Sequence, residues 1–442
     1  MRRYLSIVLS AMLLISCMPA VAFASNLSPD DFTITISTEN YDNQFQITPD
    51  NCNGAGWSFD YSTLTMRIEN LSADAIWIET YVENSEEFKL IVKGTSSIND
   101  ISAGRLNITG DGELNCSGVD IASLRLSGDV VFTTESRAWL TYLNMTDNAI
   151  YRNTRGNSHG IDVLKEALIE DNAKLSSRSI NWKDYSAAIY LGDGQMIVKD
   201  NAEVIAESGT AKTDGGKSVA IYAKKGITVM DNASVTATSK KAKNMSIAIC
   251  SDAGDVNVYG GTVIAKSADV YGKENKKNKN LQSNGLYSWK KDVNITGGTV
   301  YAQCGKSCLS NAIYAAKGSV SITGGNISAV GGVKKYKAKK DSVSSGINGS
   351  KAVKISNAII NTEGYGKYNS YGVFCKKKAP EISGTCTLVA YGEKAAFNKK
   401  PTVKNCTQEI KAGKSEATAK TVTASKKTYT KNKYVLMNTI AS

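Results

Sequence analysis

Residues 311–331 read Asn311-Ala-Ile313-Tyr314-Ala-Ala-Lys317-Gly-Ser-Val320-Ser-Ile322-Thr-Gly324-Gly325-Asn-Ile327-Ser-Ala329-Val-Gly331. Three short alternating segments follow one another here, carrying Ile313, then Val320 and Ile322, then Ile327 and Ala329. A period of two residues with a branched or small apolar side chain on one face predicts strands buried on one side. Gly324-Gly325 between the second and third segments predicts a tight corner, because glycine accepts positive φ at little cost.

The pattern recurs along the chain. Ala188-Ile189-Tyr190, Ala220-Ile221-Tyr222, Ala248-Ile249-Cys250, Gly285-Leu286-Tyr287, Gly346-Ile347-Asn348 and Gly372-Val373-Phe374 repeat the first segment. The corner is written Gly260-Gly261 and Gly297-Gly298, or as Asn172, Asn201, Asn232 and Asn357 followed by Ala. Such a unit cannot close a core alone and must stack on its neighbours. The reading is an all-β, single-stranded parallel β-helix. Its second-strand residues are Ile108, Leu126, Met145, Ile169, Val198, Val229, Val258, Ile295, Ile322, Ile355 and Ile382. About eleven coils at about 4.8 Å each give a rod on the order of 50 Å long. Repeat lengths vary while the strands do not, so extra residues are expected to leave as loops before the Ile-Tyr segment.

The chain divides into residues 1–24 as a signal peptide, 25–100 as an N-terminal β cap with the first coil, 101–400 as the solenoid and 401–442 as closing strands and a tail. Arg2 and Arg3 precede an apolar run from Leu5 to Ile15, and Ala22-Phe23-Ala24 forms a small-residue cleavage site before Ser25. The expected location is therefore secreted or surface-attached. Leu14-Ile15-Ser16-Cys17 also fits a lipobox, which makes a lipoprotein anchored through Cys17 the alternative. In the cap, Trp57 to Ile68 reads as a hairpin turning near Asp60 to Thr63. No second apolar run is long enough to span a membrane.

Export excludes nucleic acid as the natural partner. The 53 Lys+Arg against 41 Asp+Glu of this chain, +12 net, point instead to an anionic glycan or envelope polymer. Lysines cluster in two loops, Lys273 to Lys279 and Lys334 to Lys340. One histidine leaves no Cys/His metal spacing. Among the eight cysteines after Ala24, Cys304-x3-Cys308 is the local pair suited to a disulfide, and Cys116 reads as a buried small hydrophobe.

Gly56-Trp57-Ser-Phe59-Asp60 with Leu64-Thr65-Met66, Gly94-Thr95-Ser96-Ser97-Ile98 and the recurrent Val-x-Ile-Thr-Gly-Gly-Thr-Val-x-Ala resemble exported pectin-lyase-like β-helix proteins of Gram-positive gut bacteria. The resemblance covers nearly all of the mature chain. It implies a right-handed helix and, for some of these proteins, carbohydrate binding, a related group taking acidic plant polysaccharide. β-Helices also serve as lyases, hydrolases, adhesins and stalks, so function has to be read from the site.

Of the motif set of polygalacturonase-like hydrolases only Ser158-His159-Gly160 has a counterpart. Without partner carboxylates His159 reads as an exposed loop residue. Asp171, Asp200 and Asp231 form a column that would suit Ca²⁺ as the one cofactor to consider, although each belongs to an Asp-Asn-Ala turn, where a turn-forming role is the simpler reading.

If the Ile column faces inward, alternation turns Tyr190, Tyr222, Tyr287, Tyr314 and Phe374 outward, with Lys225, Lys291, Lys317 and Lys377 at the following corner. Ring faces suit sugar C–H groups and ammonium groups suit carboxylates or sulfates. The same rings also steady neighbouring strands, at roughly 0.2–1 kcal/mol per pair. The expected function is a non-enzymatic binder of anionic polysaccharide, or an adhesin. A divergent polysaccharide lyase or glycoside hydrolase and a passive envelope spacer are the alternatives. Carboxylates clustered on the tyrosine face would favour the enzyme.

Overall fold

The computed structural model describes residues 27–38, 41–81, 86–272, 281–333, 342–366 and 368–442. The expected export signal and cleavage site, Cys17 and the two lysine-dense loops lie outside the described residues. No described helix is long and apolar enough to cross a membrane.

The chain is a parallel β-solenoid with three strands per coil. The first sheet runs through Tyr185–Leu191, Lys217–Ala223, Met245–Ser251, Gln282–Ser288, Leu309–Ala315, Val343–Gly349 and Asn369–Cys375. The second sheet carries the predicted inward column. Ile108, Leu126, Met145, Ile169, Val198, Val229, Val258, Ile295, Ile322, Ile355 and Ile382 are successive Cα partners. None of them is more than 1% exposed. The third sheet stacks Ala206, Ala237, Ala265, Ala302 and Ala329 in register, and Cys116 occupies the same inward column earlier in the chain. Val204, Val235, Val263, Val300 and Ile327 form a second inward column of the same sheet, so branched residues face the bore from all three walls and fill it.

The corner between second and third sheets comes in two lengths. Met230 to Ala233 spans four residues, whereas Tyr259 to Gly261 spans three. In the longer form the left-handed residue is the aspartate, not the asparagine, with φ of 57° at Asp171, 58° at Asp200 and 57° at Asp231. The asparagines form a ladder instead. Asn172 Nδ2 donates to Asn148 Oδ1 at 3.1 Å, Asn201 to Asn172 at 3.2 Å and Asn232 to Asn201 at 3.3 Å. The aspartates form a second ladder, each carboxylate accepting the backbone N–H of the preceding coil. Asp147 N–H reaches Asp171 at 3.1 Å, Asp171 N–H reaches Asp200 at 3.3 Å and Asp200 N–H reaches Asp231 at 3.3 Å. Asp200→Ala should lose about 1–2 kcal/mol, combining the left-handed backbone with a lost acceptor, and Asp200→Asn much less. Urea midpoints check this, and equal midpoints for the two variants would refute it.

A serine three residues before each inward Ile closes the loop-bearing corner. Buried pairs Ser179–Ser186, Ser208–Ser218, Ser239–Ser246 and Ser267–Ser283 lie 2.8–2.9 Å apart. Ser186 Oγ also donates to the Ile180 carbonyl and accepts the Gly209 N–H. These hydroxyls satisfy backbone groups that a leaving loop would otherwise strand. The inserted residues do not leave at once: Trp182, Ala211, Ala242 and Val270 continue the stack as single parallel bridges.

At the N-terminus Trp57–Asp60 pairs antiparallel with Thr65–Glu69, as the hairpin reading expects, and Phe32–Thr38 pairs antiparallel with Ser72–Thr80. Parallel stacking reaches back into this region, since Met66 partners Leu90 and Leu90 partners Ile108. At the other end Tyr434–Ala441 lies antiparallel between Cys386–Gly392 and Cys406–Gly413, beside a helix, Lys426–Lys431. No disulfide joins the described cysteines, which corrects the Cys304–Cys308 expectation. The Cys304 thiol is buried and accepts the Gly332 N–H at 3.2 Å, and burial pushes its pKa up to about 12.

Candidate functional site

The outward column of the first sheet is longer than its tyrosines. In register it runs Trp77, Ser102, Asp120, Trp139, Asp162, Tyr190, Tyr222, Cys250, Tyr287, Tyr314, Asn348 and Phe374. Tyr190 and Tyr222 stack at 4.9 Å and 11°, and Tyr287 and Tyr314 tilt together at 5.5 Å and 38°. Cys250 interrupts the rings between Tyr222 and Tyr287, and Asn348 separates Tyr314 from Phe374.

These rings are not an open strip. Tyr287 is 3% exposed and packs with Val219, Ile247 and Cys250, while Tyr190, Tyr222, Tyr314 and Phe374 are half-buried. Burial raises the hydroxyl pKa of Tyr190, Tyr222, Tyr287 and Tyr314 alike. The long inserts leave the chain beside this face, and apolar residues one position earlier than expected, such as Val219 and Ile247, also turn outward and fill the space between rings.

The corner lysines divide into two groups. Lys224 and Lys225 lie 3.1 and 3.5 Å from Asp193, and Lys290 lies 3.3 Å from Asp252. The Lys224 ammonium, hydrogen-bonded to Asp193, lowers the pKa of that carboxyl. Lys225 is thus neutralised locally. Further along, Lys291, Lys317, Lys351, Lys376, Lys377 and Lys378 make no ion pair among the described residues. Lys317 lies 5.1 Å from the Trp289 ring centroid. The second half of the corner therefore presents uncompensated positive charge.

The open part of the face lies toward the N-terminus, at a cleft of about 520 Å³ lined by Asp120, Arg137, Trp139, Asp162 and Tyr190 among others. Trp139 is 53% exposed and its ring carries the Arg137 guanidinium at 3.5 Å. Asp162 holds that guanidinium in place: its Oδ2 accepts Arg137 Nε, and its Oδ1 meets His159 Nδ1 at 2.7 Å. His159 stacks on Tyr190 at 4.5 Å and 17°. The expectation of an exposed loop histidine without a carboxylate partner is corrected. His159 begins the strand His159–Ile169, its side chain is 13% exposed, and Asp162 is its partner. The stack of His159, Tyr190 and Tyr222 continues from the cleft into the tyrosine column.

Asp120, Arg137, Trp139 and Asp162 carry no repeat signature, yet one signal was available. Ala138-Trp139-Leu140 and Ile161-Asp162-Val163 show the same apolar-outward-apolar triplet as Ile189-Tyr190-Leu191, with Trp or Asp where later coils have Tyr. The aspartate column at the far corner is already engaged in its backbone ladder. No group of three or more His, Cys, Asp or Glu converges among the described residues. Compared with known proteins, the chain matches no family model, no curated protein and no solved structure.

Proposed function

We propose that this chain is an exported, non-enzymatic solenoid that binds an anionic polysaccharide along the outer face of its first sheet. The observation that carries the reading is Trp139, half exposed in a cleft and paired with Arg137. A sugar ring lies its C–H face on the indole. The guanidinium, one donor committed to Asp162, keeps the rest of its fork for a carboxylate or sulfate. The polymer continues along the coil axis past the half-buried rings toward Lys291, Lys317 and Lys377, which attract it as point charges. The resemblance to exported β-helix proteins with carbohydrate-binding members supports the same class.

Titration of polygalacturonate should show Trp139→Ala binding about tenfold weaker, a loss of about 1.4 kcal/mol. Replacing Lys291, Lys317 and Lys377 by Gln should weaken binding mainly at low salt, where charges are least screened. Unchanged binding by Trp139→Ala sinks the proposal. Addition of EDTA should leave binding unaltered, and a loss on EDTA would restore a Ca²⁺ role for Asp171, Asp200 and Asp231.

The enzymatic alternative has one observation in its favour. Asp120 and Asp162 share the face two coils apart, about 10 Å by strand spacing, near the separation of inverting glycosidase carboxylates. Both oxygens of Asp162 are occupied, however, one by Arg137 and one by His159, which fits a positioning role better than proton transfer. New reducing ends or unsaturated products from polygalacturonate, lost in Asp120→Asn, would replace binding with hydrolysis or elimination.

A further inference from the structure

A second cleft lies at the other end of the molecule, on the outer face of the third sheet, where the C-terminal hairpin folds over it. Its volume is about 510 Å³, within the range of small-ligand sites. Glu363, Glu393 and Glu416 line it together with Tyr365, Tyr391 and Tyr434. On a chain of net charge +12, none of these three glutamates is ion-paired among the described residues. Glu363 accepts the Tyr365 hydroxyl and Glu393 accepts the Gly366 N–H at 3.0 Å, which fixes two of the carboxylates without neutralising them. Tyr365 and Tyr391 face each other with ring centroids 5.5 Å apart.

Tyr434 adds a polar group that faces the cleft. It is 6% exposed, it lines the cleft, and its hydroxyl makes no hydrogen bond among the described residues. The hydroxyl oxygen opens onto the cleft and is free to accept a hydrogen bond from a donor bound there. Burial and then Glu416 raise its pKa, so the hydroxyl stays protonated.

We propose that this cleft binds a small organic cation, an alkylammonium group with an apolar stem. Three carboxylates supply the charge and hydrogen-bond acceptors for the ammonium. Three phenol rings supply faces for the cation and walls for the stem. A bare divalent metal fits less well, because no three carboxylates converge on one point among the described residues. The cleft is on a different sheet from Trp139 and does not depend on polysaccharide binding.

Calorimetric titration of the full chain with cadaverine at low ionic strength tests the assignment. Saturable binding with a dissociation constant of about 1 mM or tighter is expected. The Glu393→Gln/Glu416→Gln variant should bind at least tenfold more weakly, with an unchanged thermal midpoint. Should that variant fail to fold, Glu416→Lys, at an exposed rim position, should lose binding through charge reversal. Absence of saturable heat up to about 50 mM, equal affinity in the variants, or displacement of cadaverine by equimolar Mg²⁺ would each overturn the proposal.

Discussion

Removal of residues 426–442 should make the chain self-associate and unfold at a much lower denaturant concentration. Tyr434–Ala441 takes the place the next coil would have in the third sheet, pairing from Cys386↔Thr439 to Tyr391↔Tyr434 on one side and with Cys406–Gly413 on the other. Its Val435 and Met437 are fully buried over the end of the bore, and Tyr429 of the adjoining helix, 1% exposed, packs edge-on against Phe397 at 5.5 Å. Each such side chain contributes about 1.5–3 kcal/mol by burial, so their joint loss is a large fraction of the stability of any domain. The strand Cys386–Gly392 would be left with a free edge beside exposed Leu388 and Ala390, a template for another chain. Size-exclusion chromatography and urea unfolding measure both effects. Tyr429→Ala alone should cost about 3–5 kcal/mol while leaving the edge covered, which separates the packing loss from the exposed strand. A truncated chain that remains monomeric with an unchanged midpoint would show that the last strand is an appendage.

The second large effect is expected from Ile322→Asp. Ile322 is fully buried between Ile295 and Ile355 in the second sheet. The inward positions of this column, above and below, are aliphatic, so the new carboxylate would have no partner there. Burying an unpaired charge costs several kcal/mol, at the extreme of single substitutions, whereas Ile322→Val removes one methylene and costs about 0.5–1.5 kcal/mol. Because each coil touches only its neighbours, the damage should be concentrated there, with amide exchange accelerating first in the strands around Val293–Ile295 and Val353–Ser356. An Asp variant as stable as the Val variant would mean that the column does not face inward.

The same local logic changes what can be expected of the tyrosines. Seen as an outward column, Tyr222, Tyr287 and Tyr314 look removable together without harm to the fold. Tyr287 is as buried as a core residue, so its replacement by Ala would confuse stability with binding. Trp139 and the lysines from Lys291 onward, exposed and outside the main core, separate the two.

What was legible in the amino-acid sequence is what repeats. The inward Ile, Val and Ala columns are set by two-residue alternation, and their register needs no information beyond the repeat, because a one-residue slip would turn every apolar side chain of a strand outward. The glycine corners were legible for the same local reason, the tolerance of positive φ, seen at Gly261, Gly298 and Gly325. The tertiary structure alone decided features that depend on residues distant in sequence or on length differences between coils. It brought His159, Arg137 and Trp139 onto one carboxylate, Asp162, because residues from neighbouring coils meet only when the stack closes. It divided the lysines into neutralised and uncompensated groups according to which coil supplies an aspartate. It buried Tyr287 within a second, outer cluster that alternation by itself places in solvent, since period-two reasoning says which face a side chain takes and nothing about what later covers that face.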